Sequence, residues 1–229
     1  MKPAAGLLPF LAVVTTAAVA EPPTGSRLGD VRDKAISVAN ASGASAMHNM
    51  ASCLYAKRGP LVRAMLDSKD GKEIDRISGQ LSASVTCLAM IATTDGADST
   101  TLSYPRDIYR GSLAEAVLGK MDAAMSGLAA LPPQPAVMLD WFALTGRDPV
   151  VDSMAVCVTE SNPQGVAALL RSRDETDAEK AALRGLAPSL GPCLLTGATL
   201  KANRQSLRAA LAEAMYHRVT APPAGSAMQ

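Results

Sequence analysis

Apolar residues recur along most of the chain at steps of three and four, the spacing of a helix with one buried stripe. Ile74, Ile77, Leu81, Val85 and Leu88 share one such face and predict a helix over 72–92. Upstream, Ala46 to Tyr55 reads as a helix that stops near Gly59. Pro60 suits the first turn of the next, ahead of Leu61, Val62, Met65 and Leu66. Tyr109, Leu113, Val117, Met121, Ala124 and Leu128 form a long stripe that starts near Pro105 and ends before Pro132. Beyond it the punctuation sharpens. Asp148-Pro149 and Asn162-Pro163 each join an N-cap residue to a first-turn proline. Thr176 with Glu179 makes a capping box, Pro188 and Pro192 end the helix that follows, and Gln205 to Arg218 form the last one. Strict alternation of apolar and polar residues is missing, so the pattern predicts an all-α protein.

The helical segments come in two similar sets. Met50-Ala51-Ser52-Cys53-Leu54 aligns with Met154-Ala155-Val156-Cys157-Val158, and from Met50 to Asp70 8 of 21 positions are identical to those from Met154 to Asp174. A two-residue insertion then brings Gly79 opposite Gly185, Cys87 opposite Cys193 and Leu88 opposite Leu194. Arg110 and Glu115 match Arg208 and Glu213 in the last helix of each set. Repetition at this scale predicts a bundle or short α-solenoid-like array of two homologous, disulfide-clamped multi-helix units. The units span 44–131 and 148–219. A Pro-rich link, 132–147, joins them, and a disordered tail, 220–229, follows.

The N-terminus changes the reading of the cysteines. Met1-Lys2, an apolar run from Leu7 and the ending Ala18-Val19-Ala20 make residues 1–20 a cleaved signal peptide, followed by a lead, 21–43, that carries a possible short helix. No later segment is long and apolar enough to remain in a membrane. An exported protein meets an oxidising compartment, periplasmic or extracellular, and the even set Cys53, Cys87, Cys157 and Cys193 then predicts two disulfides. The repeat selects Cys53–Cys87 and Cys157–Cys193. Each closes a loop of about 35 residues, for which the chain-entropy model gives about 3–4 kcal/mol.

Composition adds exclusions. Hydrophobic residues make up 48%, too many for a disordered chain. Net charge is +1, which leaves no basic excess for nucleic acid, and 3% aromatics is too few for a base-stacking surface. A core of Ala, Val, Leu and Met buries little area per side chain, which makes the bridges important.

Catalytic signatures are sparse. GxSxG, HExxH and the phosphate-binding GxxxxGK[ST] loop are all absent, and His48 and His217 are the only histidines. Met47, His48, Met50, Cys53, Met65 and Met90 together carry soft-metal chemistry suited to copper, although Met50 matches Met154 in the repeat and so reads as core filler. Trp141 and Phe142, in the link, are the candidate partner contact or a plug between the units. Arg110, Glu115, Arg208 and Glu213 are too far apart on their own helices to pair there, so each is placed to cross-link helices; Glu213 and His217 are spaced to pair on an exposed face. These observations lead to an exported module that binds or scaffolds a protein or small-molecule partner and carries no cofactor. A hydrolase with a cleft between the units, and a copper-binding protein, are the alternatives.

Overall fold

The computed structural model describes residues 26–84, 86–87, 105–200 and 202–221, with side chains from Gly43 onward within those ranges, Ala44 apart. The expected signal peptide, the first residues of the lead, Val85, Leu88, Met90 and the tail beyond residue 221 lie outside the described residues. Among the described residues all regular structure is helical. Ser26–Val38 belong to a first compact unit and are helical; the rest of the chain forms the second unit, to which everything below refers.

Helix α1 is Ser26–Asp67, so the lead continues as helix rather than ending before Gly43. It is broken at Arg58 (φ −137°, ψ 34°). Pro60 causes the break: it has no N–H to donate, and its ring collides with the carbonyl four residues back. The expected stop near Gly59 is therefore present inside one helical stretch. Asp70 caps α2, Gly71–Ser82, by accepting from the Lys72 N–H. Ile74, Ile77 and Leu81 are its buried face. The helix expected over 72–92 is interrupted after Ser82, where the Ala83 N–H turns back to the Gly79 and Leu81 carbonyls; Thr86 and Cys87 are helical again, and 88–92 lie outside the described residues.

The long stripe after Pro105 is two helices: α3, Arg106–Leu118, and the short α4, Asp122–Ser126. Gly119 and Lys120 form a turn, and Met121 leaves helical geometry at φ −122°, ψ 29°. The break moves the buried register by one residue, so Met125 is buried and Ala124 exposed. Residues 128–139 are irregular, and a 3-10 turn, Asp140–Leu144, carries Trp141 and Phe142.

Three helices then start where the caps place them. Asp148 caps α5, Pro149–Ser161; Asn162 caps α6, Pro163–Arg171; Thr176 caps α7, Asp177–Leu190. Pro188 sits inside α7, and the break comes at the 3-10 turn Gly191–Cys193, which contains Pro192. The chain ends on α8, Arg204–Thr220, capped by Asn203.

Helix α8 is central. It packs on α3, α5 and α6, and supplies the buried Ala210, Leu211, Ala212 and Met215. The core is otherwise aliphatic and methionine-rich, including Met47, Leu54, Met65, Leu113, Val117, Met154 and Val158. Two disulfides staple it. Cys53 is bonded to Cys87 and Cys157 to Cys193, with Cα atoms 5.7 and 5.5 Å apart. Two bridges of this kind mark a chain that matures in an oxidising compartment.

Helices α3 and α8 touch backbone to backbone at Gly111. A Cβ there would lie 2.3 Å from the Ala209 Cβ and 2.7 Å from the Ala209 carbonyl oxygen. Gly79 and Gly185, by contrast, face open space. Gly111→Ala is thus expected to cost about 3 kcal/mol through overpacking, whereas Gly185→Ala gains about 0.5–1 kcal/mol of helix propensity. Thermal denaturation followed by circular dichroism should move in opposite directions for the two variants. Removal of the second bridge by Cys157→Ser with Cys193→Ser should lower stability by about 3–4 kcal/mol in urea titrations.

Candidate functional site

Helices α3 and α8 run antiparallel, and their matched residues meet reciprocally. On one side Arg110 donates to Glu213, from Nε to Oε1 at 2.8 Å and from a terminal nitrogen at 2.5 Å. On the other, Arg208 embraces both oxygens of Glu115, with Nε 3.0 Å from Oε2. The cross-linking role expected for these four residues is what the structure contains.

Each glutamate takes a second cation. For Glu213 it is Arg147, 2.5 Å from Oε2, whose Nε in turn donates to Asp152 at 2.6 Å. Thr145 donates to the other Asp152 oxygen at 2.8 Å. Glu213, Asp152 and Arg110 are solvent-free and Arg147 nearly so. Two buried carboxylates therefore face two buried guanidiniums, with no net charge. Burial alone would raise the Glu213 carboxyl; Arg110 and Arg147 outweigh it and hold the group below its ordinary value. Asp152 moves the other way, because its burial outweighs the single arginine beside it.

For Glu115 the second cation is His48. Its Nε2 is 2.8 Å from Glu115 Oε2, and its Nδ1 is 3.5 Å from Asp174 Oδ2, a charge contact rather than a short hydrogen bond. Arg208 continues the network to Glu179, 3.0 Å away, and to the Ser172 carbonyl at 2.7 Å. Arg204 closes it by pairing with Glu175. Burial opposes charge on His48, but the flanking carboxylates Asp174 and Glu115 dominate and push it up to about 10. At neutral pH the ring is an imidazolium held between two anions. A ring held in that form is a poor general base.

His48, Ser112 and Glu115 separate two spaces. One is an enclosed void of about 20 Å³, also lined by Asp174, Glu179, Gln205 and Arg208. That is the size of a single water. The other is an open cleft of about 440 Å³ between α1 and α3, walled by Ser52, Tyr55, Ala56, Ala116, Gly119 and Lys120, with Leu170 from α6. Small residues on both helices make this space: Ser52 and Ala56 on α1, Ser112 and Ala116 on α3.

The aromatic segment lies elsewhere. Phe142 is buried and Trp141 partly so. The indole meets Phe142 edge-on at 4.6 Å and stacks on His217 at 4.5 Å. The expected exposed pair of Glu213 with His217 is absent: Glu213 is drawn inward by its arginines, and His217 packs on Trp141. Burial lowers the His217 pKa, and its Nε2 has no hydrogen bond. Of the soft-metal set, Met47, Met50 and Met65 are in the core and the Cys53 sulfur is in a bridge. Among the described residues no three His, Cys, Asp or Glu side chains gather as metal ligands, and no helix is long and apolar enough to cross a membrane.

Arg147 had no signal in the sequence; Asp174 was marked only by its match to Asp70 and Glu179 only as part of a capping box, neither as a partner of His48 or Arg208. Asp152 had one, because the repeat sets it opposite His48. Comparison with family models, with curated proteins and with solved structures gave no match.

The His48 cage has a testable pH signature. Its folded pKa lies above the unfolded value of 6.5, so the stabilisation is complete below about pH 6.5 and disappears as pH rises through about 10. The stability gap between wild type and His48→Gln, measured by urea unfolding, should be widest near pH 6 and close towards pH 10. The His48 ring resonances in NMR should keep imidazolium shifts through pH 8.

Proposed function

We propose that the chain is an exported helical binding module, built from two homologous disulfide-clamped units, and that the cleft beside His48 is where it holds a small-molecule ligand. The observation that carries this reading is the state of the cleft wall. Its histidine and carboxylate are locked together by charge, so the wall is rigid and preorganised while the imidazole is biased toward the protonated form. The cleft also falls in the range of about 300–1,000 Å³ usual for ligand sites.

Three features support the duplication. The helix breaks at Arg58 (φ −137°) and Asn162 (φ −139°) fall at aligned positions. Each set carries one bridge between corresponding cysteines. The pairs Arg110–Glu213 and Arg208–Glu115 exchange under the same alignment, as contacts do across a two-fold interface. The second cations differ: His48 reaches Glu115 directly, whereas the aligned Asp152 holds Arg147 against Glu213.

One observation favours a second reading, a hydrolase. Ser112, His48 and Glu115 line the same cleft and are the residue types of a nucleophile, a base and its orienting acid. A thermal-shift screen of small molecules separates the two. On the binding reading, a ligand at 100 times its Kd raises stability by about 2.7 kcal/mol. Ala56→Trp, which fills the cleft from an exposed position, removes that effect. Labelling of Ser52 or Ser112 by a fluorophosphonate, lost in His48→Gln, would replace the binding reading with the hydrolase.

A further inference from the structure

We infer that the cleft takes a small anionic molecule, one bearing a carboxylate or phosphate group that Lys120 and the wall hydroxyls receive. This rests on the reading of the cleft as a ligand site and comes from an inventory of its polar groups. Among the described residues Glu115 is the only carboxylate on the wall, and both of its oxygens are taken, by His48 and by Arg208. The His48 ring nitrogens are turned to Glu115 and Asp174. What remains to meet a ligand is mainly donors. Lys120 is exposed and makes no ion pair among the described residues. The hydroxyls of Ser52 and Ser112 line the cleft, and each can donate. The Tyr55 oxygen accepts from Arg63 at 2.9 Å, which leaves its own proton to donate and brings a guanidinium to the rim.

The charges agree with the donors. On the wall itself His48 and Glu115 cancel, so among the described lining residues the one uncompensated formal charge is the ammonium of Lys120; behind that wall Asp174, Arg208 and Glu179 leave the network with one negative charge in excess. A second opposing influence is the C-terminal end of α3 beside Gly119, equivalent to about half a negative charge. Lys120 lines the cleft itself, whereas Asp174, Glu179 and Arg208 line the void on the other side of the wall. The small residues Ser52, Ala56, Ser112, Ala116 and Gly119 leave room for a compact ligand. Leu170 offers an apolar contact for its carbon skeleton.

The test uses the ¹⁵N-labelled mature protein with its disulfides intact. It is titrated separately with sodium acetate, sodium phosphate and tetramethylammonium chloride at constant ionic strength, and amide shifts are followed by NMR. Acetate or phosphate should give saturable shifts centred on Ser52, Ser112, Gly119 and Lys120, and the tighter of the two assigns the group as carboxylate or phosphate. Lys120→Gln should weaken that binding at least ten-fold without moving the melting temperature, because Lys120 is exposed and outside the ion network. Failure of both anions to saturate, tighter binding of tetramethylammonium, or an unchanged Kd in Lys120→Gln overturns the inference. A neutral sugar whose stabilisation is lost in Ala56→Trp would overturn the anion assignment and leave the binding reading intact. Fluorophosphonate labelling of a cleft serine that requires His48 would overturn both.

Discussion

The close crossing of α3 over α8 governs this molecule. Gly111 lets the two backbones meet at Ala209, and only at that separation can Arg110 reach Glu213 while Arg208 reaches Glu115. The dependence also runs backwards. Four charges placed in a solvent-poor interface cost several kcal/mol each to desolvate unless geometry pairs them, so the pairing enforces the crossing angle and register. A slide of one helical turn would leave buried charges alone. An aliphatic contact would tolerate such a slide far better, and the interior here is otherwise aliphatic and sulfur-rich, with little directional information of its own. The ion networks act as a register device in a core that lacks one.

The two ends of the crossing solve the same problem with different residues. At Glu213 the second cation is Arg147, itself restrained by Asp152 and Thr145 and enclosed by protein. At Glu115 it is His48, whose ring is partly exposed and whose neighbours on α1 and α3 are small. The shorter side chain and the small residues around it leave the cleft open beside Glu115. On the proposed reading, a stability device at both ends becomes a rigid wall for a ligand at one. The disulfides complement it. Cys53–Cys87 ties α1, which carries His48, to the end of the α2 region, and Cys157–Cys193 ties α5 to the turn after α7.

Helix identity and much of the chemistry of the caps could be read from local residues. Asp148, Asn162 and Thr176 begin helices because their side chains satisfy the first N–H groups, an interaction that needs no distant partner. The break ahead of Pro60 is local for the same reason. Reading failed where two local preferences competed. The stripe from Tyr109 to Leu128 has helical spacing throughout, yet Gly119 and the Met121 backbone interrupt it and shift the buried register to Met125. Pro188 was the reverse case. It stands near enough to the end of α7 for the helix to continue one short step past it.

By itself, then, the sequence determined the all-helical class, the cap positions, the cysteine partners and the four residues that join α3 to α8, because each was marked by a local rule or by its counterpart in the other half of the chain. Only the tertiary structure decided which arginine meets which glutamate, that Glu213 turns inward while His217 stacks on Trp141, and that His48 is caged by Glu115 and Asp174, residues 67 and 126 positions away. The physical reason is range. Caps and turns are settled within a few residues, whereas the charge state of a buried side chain and the space beside it depend on groups that only folding brings within a few ångströms.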